Sequence, residues 1–120
     1  MPQSQRFVQL TNDAKTRVRE VSPAEARDLR DRGALLIDVR ETDEFAKEHA
    51  PGALHLSRGK LEMKIEEAAP DLAAPIVCYC GGGGRSALAA DNLQKMGYTN
   101  VASMAGGFKA WKDQGLGTEA

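Results

Sequence analysis

A cysteine followed by four glycines, an arginine and a serine, "CGGGGRS" at positions 80–86, is the part of this 120-residue chain best equipped for chemistry. A glycine run costs backbone entropy on folding and contributes no packing. Placed directly after a nucleophilic side chain, it needs a reason. Without side chains at Gly81, Gly82, Gly83 and Gly84, successive N–H groups can turn toward one point, and a helix starting just beyond adds the positive end of its dipole. A thiol held there is driven toward the thiolate, its nucleophilic form. Arg85 adds a permanent charge and a planar fork of donors. At a helix start a cation opposes the dipole, which favours a role facing an anion. An isolated cytosolic cysteine is most often buried and inert. The combination with the glycines and Arg85 points instead to a reactive Cys80 whose sulfur, or an anion bound to it, is ringed by amides. The Lys-Ser/Thr ending of a nucleotide phosphate loop is absent.

The elements that must position this loop follow from the flanking pattern. "PIVCY" (75–79) is a short apolar run of the kind that forms a buried parallel strand. "RSALAADNLQKMG" after the loop is helical, with Ala87, Ala90, Leu93 and Met96 on one face and Gly97 as its stop. Upstream, "TRVREV" (16–21), "ALLIDV" (34–39) and "ALHL" (53–56) read as strands, and "NVASM" (100–104) as a fifth. Helices alternate with them. "SPAEARDLRDRG" carries an N-cap at Ser22, Pro23 in the first turn, Glu25 completing a capping box and Gly33 as its end. "TDEFAKEHA" is a short helix capped by Thr42, "KLEMKIEEAAPDL" places Leu61, Ile65 and Ala69 on one face before Pro70, and "GGFKAWKDQG" closes the chain. The pattern predicts an α/β layered domain with a central, mostly parallel five-stranded sheet flanked by helices. Ligands in such sheets sit beyond the carboxyl ends of the strands, where the strand order reverses, and Cys80 follows such an end. Residues 1–15 are polar and show no clear period. They read as an N-terminal extension, docked or loose, before a single domain over 16–120.

Composition narrows the function classes. Apolar residues make up 42% and charged residues 28%, ordinary values for a globular protein, and the length suits one core. A net charge of −1 gives no general field for nucleic acid or an anionic membrane. No stretch approaches the roughly 18 apolar residues of a membrane span, and the first residues lack the apolar core of a signal peptide, so a cytoplasmic location is expected. Two cysteines are too few for a disulfide framework. With two distant histidines they show no recognised metal-ligand spacing, and neither a metal nor an organic cofactor is expected.

The loop resembles the active-site loop of the rhodanese (sulfurtransferase) family, C-x-x-G-x-R-[ST], with Cys80, Gly83, Arg85 and Ser86 at the matching positions. "LLIDVRETDEFAKEHAPGA" resembles that family's upstream signature through Asp38, Arg40, Glu44, Phe45, His49, Pro51, Gly52 and Ala53. "GYTNVASMAGGFKAW" is similar to its closing signature through Gly97, Gly106, Gly107 and Trp111. The resemblance covers residues 17–116. The resemblance implies a rhodanese-like three-layer fold and a ping-pong transfer of sulfane sulfur through a Cys80 persulfide. The donor is a small sulfur compound such as thiosulfate and the acceptor cyanide or a thiol. It further implies that Gly81 to Gly84, Arg85 and Ser86 bind the substrate, and that Asp38 and Arg40 mainly anchor loops near the site. Cysteine phosphatases sharing this fold carry a cysteine-to-arginine loop one residue longer, so the four residues between Cys80 and Arg85 favour sulfur over phosphate. Many thiosulfate-active members have basic residues inside the loop; here it is all glycine, which weakens the case for thiosulfate itself.

Two other functions use the same residues: a persulfide relay loaded by a protein partner, and a non-catalytic binding domain, which the intact Cys80 and Arg85 disfavour. Cys78, two positions before Cys80, lies on the same strand face. It reads as a small core residue, or else as the partner in a strained, reversible disulfide. His49 and His55 read as structural, since persulfide transfer needs no general base once the thiolate exists. Met104 and Phe108 belong either to the core or to the mouth of the site.

Overall fold

The computed structural model describes residues 3–120. Five strands, β1 (Arg19–Val21), β2 (Leu35–Asp38), β3 (Leu54–His55), β4 (Ile76–Tyr79) and β5 (Val101–Met104), form one sheet in the order β1-β5-β4-β2-β3. Every strand pair is parallel, with Ile37 opposite Cys78 and Cys78 opposite Ser103 in the central register. Among the described residues six helices accompany them: α1 (Gln5–Lys15), α2 (Pro23–Asp31), α3 (Thr42–Lys47), α4 (Leu61–Ala68), α5 (Gly84–Lys95) and α6 (Gly107–Asp113).

The strand order decides which helix lies on which face. The chain moves from β1 to β2 in one direction across the sheet, then from β3 through β4 to β5 in the other. Crossovers between parallel strands are right-handed, so a reversal of direction moves the helices to the opposite face. Two apolar cores result, one on each side. Alternation along β4 sends Ile76 and Cys78, followed by Cys80, to one side with α4 and α5, where they meet Leu61, Ile65, Ala89, Ala90 and Leu93. Val77 and Tyr79 point the other way, into a core with Ala26 of α2 and Phe108 and Trp111 of α6. The reversal falls between β4 and β2, and the carboxyl ends of these two strands carry Cys80 and the Asp38–Arg40 segment. This is the crevice where open α/β sheets bind ligands.

Local signals account for most of the helix ends. Ser22 accepts from the Glu25 N–H at 3.1 Å while the Glu25 carboxylate accepts from the Ser22 N–H at 3.0 Å, forming the expected capping box on α2. On α3 the N-cap is Glu41 rather than Thr42, and Glu44 reaches back to the Glu41 N–H at 3.0 Å. The N-terminal segment departs furthest from expectation. Residues 5–15, read in sequence as lacking a period, form α1, capped by Ser4, whose Oγ accepts from the Phe7 N–H at 3.1 Å. Thr11 and Ala14 of α1 are buried. The helix lies along α5 in the same direction: Phe7 and Thr11 meet Gly84 at the start of α5, and Arg17 reaches Asp91 and Gln94 further along. Both helix N-termini therefore point to the carboxyl end of the sheet.

Candidate functional site

Cys80 follows β4 directly, and its side chain is buried at 1% exposure. Its Sγ accepts hydrogen bonds from the Gly83 N–H at 3.1 Å and the Ser86 N–H at 3.3 Å. The Cys80 thiol donates to Ser86 Oγ at 3.5 Å, and Ser86 Oγ pairs with Ser103 Oγ at 2.8 Å, all in the interior. The sulfur thus sits at the N-terminus of α5 against two backbone donors and one hydroxyl. With Ser103 donating to Ser86, the Ser86 hydroxyl is left free to donate to an ionised sulfur. Ser103, on the inward face of β5, plays no part in the sequence reading. Nothing marks a serine mid-strand until the β4–β5 register is known.

The four glycines serve different purposes. Gly83 adopts φ +104°, a conformation other residues resist, and this turns its N–H onto the sulfur. A Cβ at Gly81 would stand 3.2 Å from Nη2 of Arg85. Gly82 has nothing within 4 Å of its Cβ position. At Gly84 that space is taken by Phe7 and Thr11, each 3.3 Å from an added Cβ. The loop is clamped from behind by the start of α6. The Phe108 N–H donates to the Cys80 carbonyl at 2.7 Å and the Lys109 N–H to the Gly81 carbonyl at 3.1 Å. Holding these two carbonyls fixes the start of the loop, which leads on to Gly83, whose N–H meets the sulfur at 3.1 Å. Gly107 permits this approach, because a Cβ there would fall 2.5 Å from the Gly81 oxygen and 2.6 Å from the Cys80 oxygen.

Arg85 lies beside the loop with its fork on Glu44 of α3, Nη1 to Oε1 at 2.9 Å and Nη2 to Oε2 at 3.2 Å. The Glu44 carboxylate raises the pKa of Arg85, and the Arg85 fork in turn holds the Glu44 carboxyl below its ordinary range. Glu44 is 41 residues away in sequence, and only the fold makes it the partner of Arg85.

Asp38 and Arg40 form a separate, buried unit beneath the crevice. Asp38 accepts from the Arg40 backbone N–H at 2.9 Å and from its guanidinium through three contacts of 2.8–3.1 Å, while Arg40 Nη2 also donates to the Glu48 carbonyl. Burial alone would lower the pKa of Arg40, but the Asp38 hydrogen bonds and charge outweigh it and raise the value. The guanidinium stacks 4.4 Å above the Phe108 ring. This ties the end of β2 to the start of α6, and so to the clamp on the loop. His55 donates from Nε2 to the Arg40 carbonyl at 2.8 Å and His49 from Nδ1 to the Phe45 carbonyl at 2.9 Å, with Phe45 stacked between the two rings. Both histidines hold backbone, as expected.

Cys78 and Cys80 are both free thiols. Cys78 is fully buried, and desolvation pushes its thiol up to about 12. Met104 and Phe108 are core residues beside Trp111.

The profile of the rhodanese-like domain matches residues 22–114, which leaves α1 and β1 outside the match. Over 97 residues, 81% of this chain and 90% of the relative, the sequence is 37% identical to the thiosulfate sulfurtransferase GlpE of Pseudomonas syringae pv. syringae. Two solved structures extend the likeness over more of the chain. One is a protein of unknown function from Rhodopseudomonas palustris, described as a possible tyrosine phosphatase, at 33% identity and TM-score 0.83, covering 99% of each chain. The other is the 30 kDa polysulfide-sulfur transferase homodimer of Wolinella succinogenes, at 30% identity and TM-score 0.82, covering 94% of this chain and 86% of the other.

Proposed function

We propose, from the premise that this chain belongs to the rhodanese-like domain family and is a sulfurtransferase, that the sulfur in transit is carried on Cys80 Sγ as a persulfide. The observation that carries this is the pair of backbone donors on the sulfur, Gly83 N–H at 3.1 Å and Ser86 N–H at 3.3 Å, at the positive end of α5. Amides stabilise an anionic sulfur without giving it a proton, and they are already in place before charge develops.

In the first half-reaction the Cys80 thiolate attacks the outer sulfur of the donor. A Cys80–sulfur bond forms. With thiosulfate, the donor's sulfur–sulfur bond breaks and its electron pair leaves on sulfite. In the second, cyanide or a thiolate attacks the terminal sulfur of the persulfide, and the electrons of the cleaved bond return to Cys80 as thiolate. Thiocyanate or a new persulfide departs. The Gly83 and Ser86 amides hold the sulfur, the side-chain-free stretch Gly81 to Gly84 leaves room for the substrate, the Ser86 hydroxyl adds a donor, and Arg85 is the charged group of the loop. Asp38 and Arg40 act through the α6 clamp and keep the loop in register.

The Glu44 carboxylate on Arg85 favours a donor other than a free dianion. With the guanidinium paired at 2.9 and 3.2 Å, the loop offers little uncompensated positive charge. This supports loading by a partner protein's persulfide, with thiosulfate a weak substrate. The same pairing, with the short Cys80–Arg85 loop, counts against phosphatase chemistry, which needs an arginine for a phosphate dianion. Intact mass before and after thiosulfate, beside Cys80→Ser, tests the reading. A gain of one sulfur atom, absent in the variant and removed by cyanide as thiocyanate, is expected. No gain with any sulfane donor, the thiol being free, refutes it.

A further inference from the structure

The loop around Cys80 lacks side chains, so nothing in residues 81–84 limits the size of what approaches the sulfur. Two side chains of α1, Phe7 and the buried Thr11, reach the loop from outside it, and Phe7 is the larger and the one partly open to solvent. Phe7 of α1 sits with Cε2 and Cζ 3.3 and 3.4 Å from where a Cβ would stand on Gly84, the residue after the one donating to Sγ. Side chains on a helix tilt toward its N-terminus. Because α1 runs parallel to α5, the Phe7 ring leans toward the carboxyl end of the sheet, where Cys80 lies. The ring is half-buried, with one part on Gly84 and the rest toward solvent.

The helix is fixed in that position at its other end. Arg17 forks onto Asp91 of α5, Nε to Oδ1 at 3.0 Å and Nη2 to Oδ2 at 2.8 Å, and Gln94 Nε2 donates to the Arg17 carbonyl at 3.0 Å. Buried Thr11 and Ala14 fill the seam between. On the opposite flank of the loop stands the Arg85–Glu44 pair, with a guanidinium nitrogen 3.2 Å from the Cβ position of Gly81. Between them, Gly82 is exposed and open.

We propose that Phe7 is a specificity-determining residue: its ring is the apolar wall on the Gly84 side of the entrance to Cys80, and it selects sulfur acceptors by bulk. This rests on the persulfide reading above. The step it governs is the second one. A thiolate must bring its sulfur onto the terminal persulfide sulfur along the bond to Cys80 Sγ, so groups carried next to that thiolate press on the rim. Cyanide, a rod of two atoms, avoids the wall; a tripeptide thiol such as glutathione meets it. The glycine at 84 and the phenylalanine at 7 are one device, in which the side chain missing from the loop is supplied by α1, outside the segment that defines the family.

Phe7→Ala and Phe7→Trp, made in the full chain, are compared with the wild type by kcat/KM for cyanide and for glutathione. The glutathione-to-cyanide ratio is expected to rise about tenfold in Phe7→Ala, the scale on which a pocket wall discriminates a few atoms, and to fall in Phe7→Trp. A purely structural role for Phe7 would move both acceptors together and leave the ratio where it was, which overturns the inference. Should Phe7→Ala not fold, the direction of the ratio in Phe7→Trp decides. A wild-type protein that yields no thiocyanate with any sulfane donor overturns the persulfide reading itself, and this inference falls with it.

Discussion

Gly107→Ala separates the α6 clamp from the rest of the loop. The added methyl would stand 2.5 Å from the Gly81 oxygen and 2.6 Å from the Cys80 oxygen, both backbone atoms that cannot rotate aside. Reaching an ordinary contact of about 3.4 Å requires a shift of roughly 0.9 Å, which stretches the 2.7 Å bond from Phe108 N–H to the Cys80 carbonyl to roughly 3.6 Å, beyond hydrogen-bonding reach. The φ of +60° adds strain of about 1–2 kcal/mol for a residue with a Cβ. Losing the two clamp hydrogen bonds adds about 0.5–1.5 kcal/mol each. The total is about 2–5 kcal/mol, read by urea denaturation at neutral pH. Sulfur loading of the fraction still folded, by intact mass, should fall as well, because the freed carbonyls can turn toward the sulfur. Gly82→Ala is the internal control. Its Cβ meets nothing within 4 Å and its φ is not positive, so its stability should stay within about 0.5 kcal/mol of the wild type. Equal stabilities for the two variants would refute the reasoning.

Glu44→Gln removes the charge that occupies Arg85 and should lower KM for thiosulfate about fivefold, the scale of one partly exposed charge pair; an unchanged or higher KM would show that Arg85 does not serve an anionic donor. Cys78→Ala should cost about 1 kcal/mol in denaturation as a small buried cavity and leave persulfide loading at Cys80 intact, since the Cys78 thiol is fully buried and titrates only at about 12. Asp91→Asn should weaken α1 docking. Arg17 holds the Asp91 carboxyl below its ordinary value of 3.8 in the folded protein, so the stability this carboxylate contributes is present above that value and lost as pH falls through the lower, folded one. The difference between wild type and Asp91→Asn, measured by denaturation across pH 2–7, should accordingly be full at neutral pH and shrink only in the acid limb.

Read from residues alone, this chain already declares its sheet, its α2 cap and the placement of Cys80 between a strand and a helix start. Those are local matters. A run such as "PIVCY" has to be buried on both faces, Ser22 and Glu25 lie within one turn of each other, and a cysteine before glycines and a helix is an anion site by its own backbone. The helical face of α1 was also present, with Phe7, Leu10, Thr11 and Ala14 at spacings of three and four, but its polar background obscured it. What no spacing could show is which residues meet across the fold. Arg85 finds Glu44 across 41 positions, Ser103 finds Ser86 only through the β4–β5 register, and Gly107 comes up beneath Cys80 only because β5 lies beside β4. The four glycines look alike in sequence. Tertiary packing makes them different: Gly83 turns a donor onto the sulfur, and Gly84 leaves room for a ring from the other end of the chain. Hydrogen bonds and van der Waals contacts act over a few ångströms of space, whatever the distance along the chain, so the partners of a site are decided by the fold that brings them together.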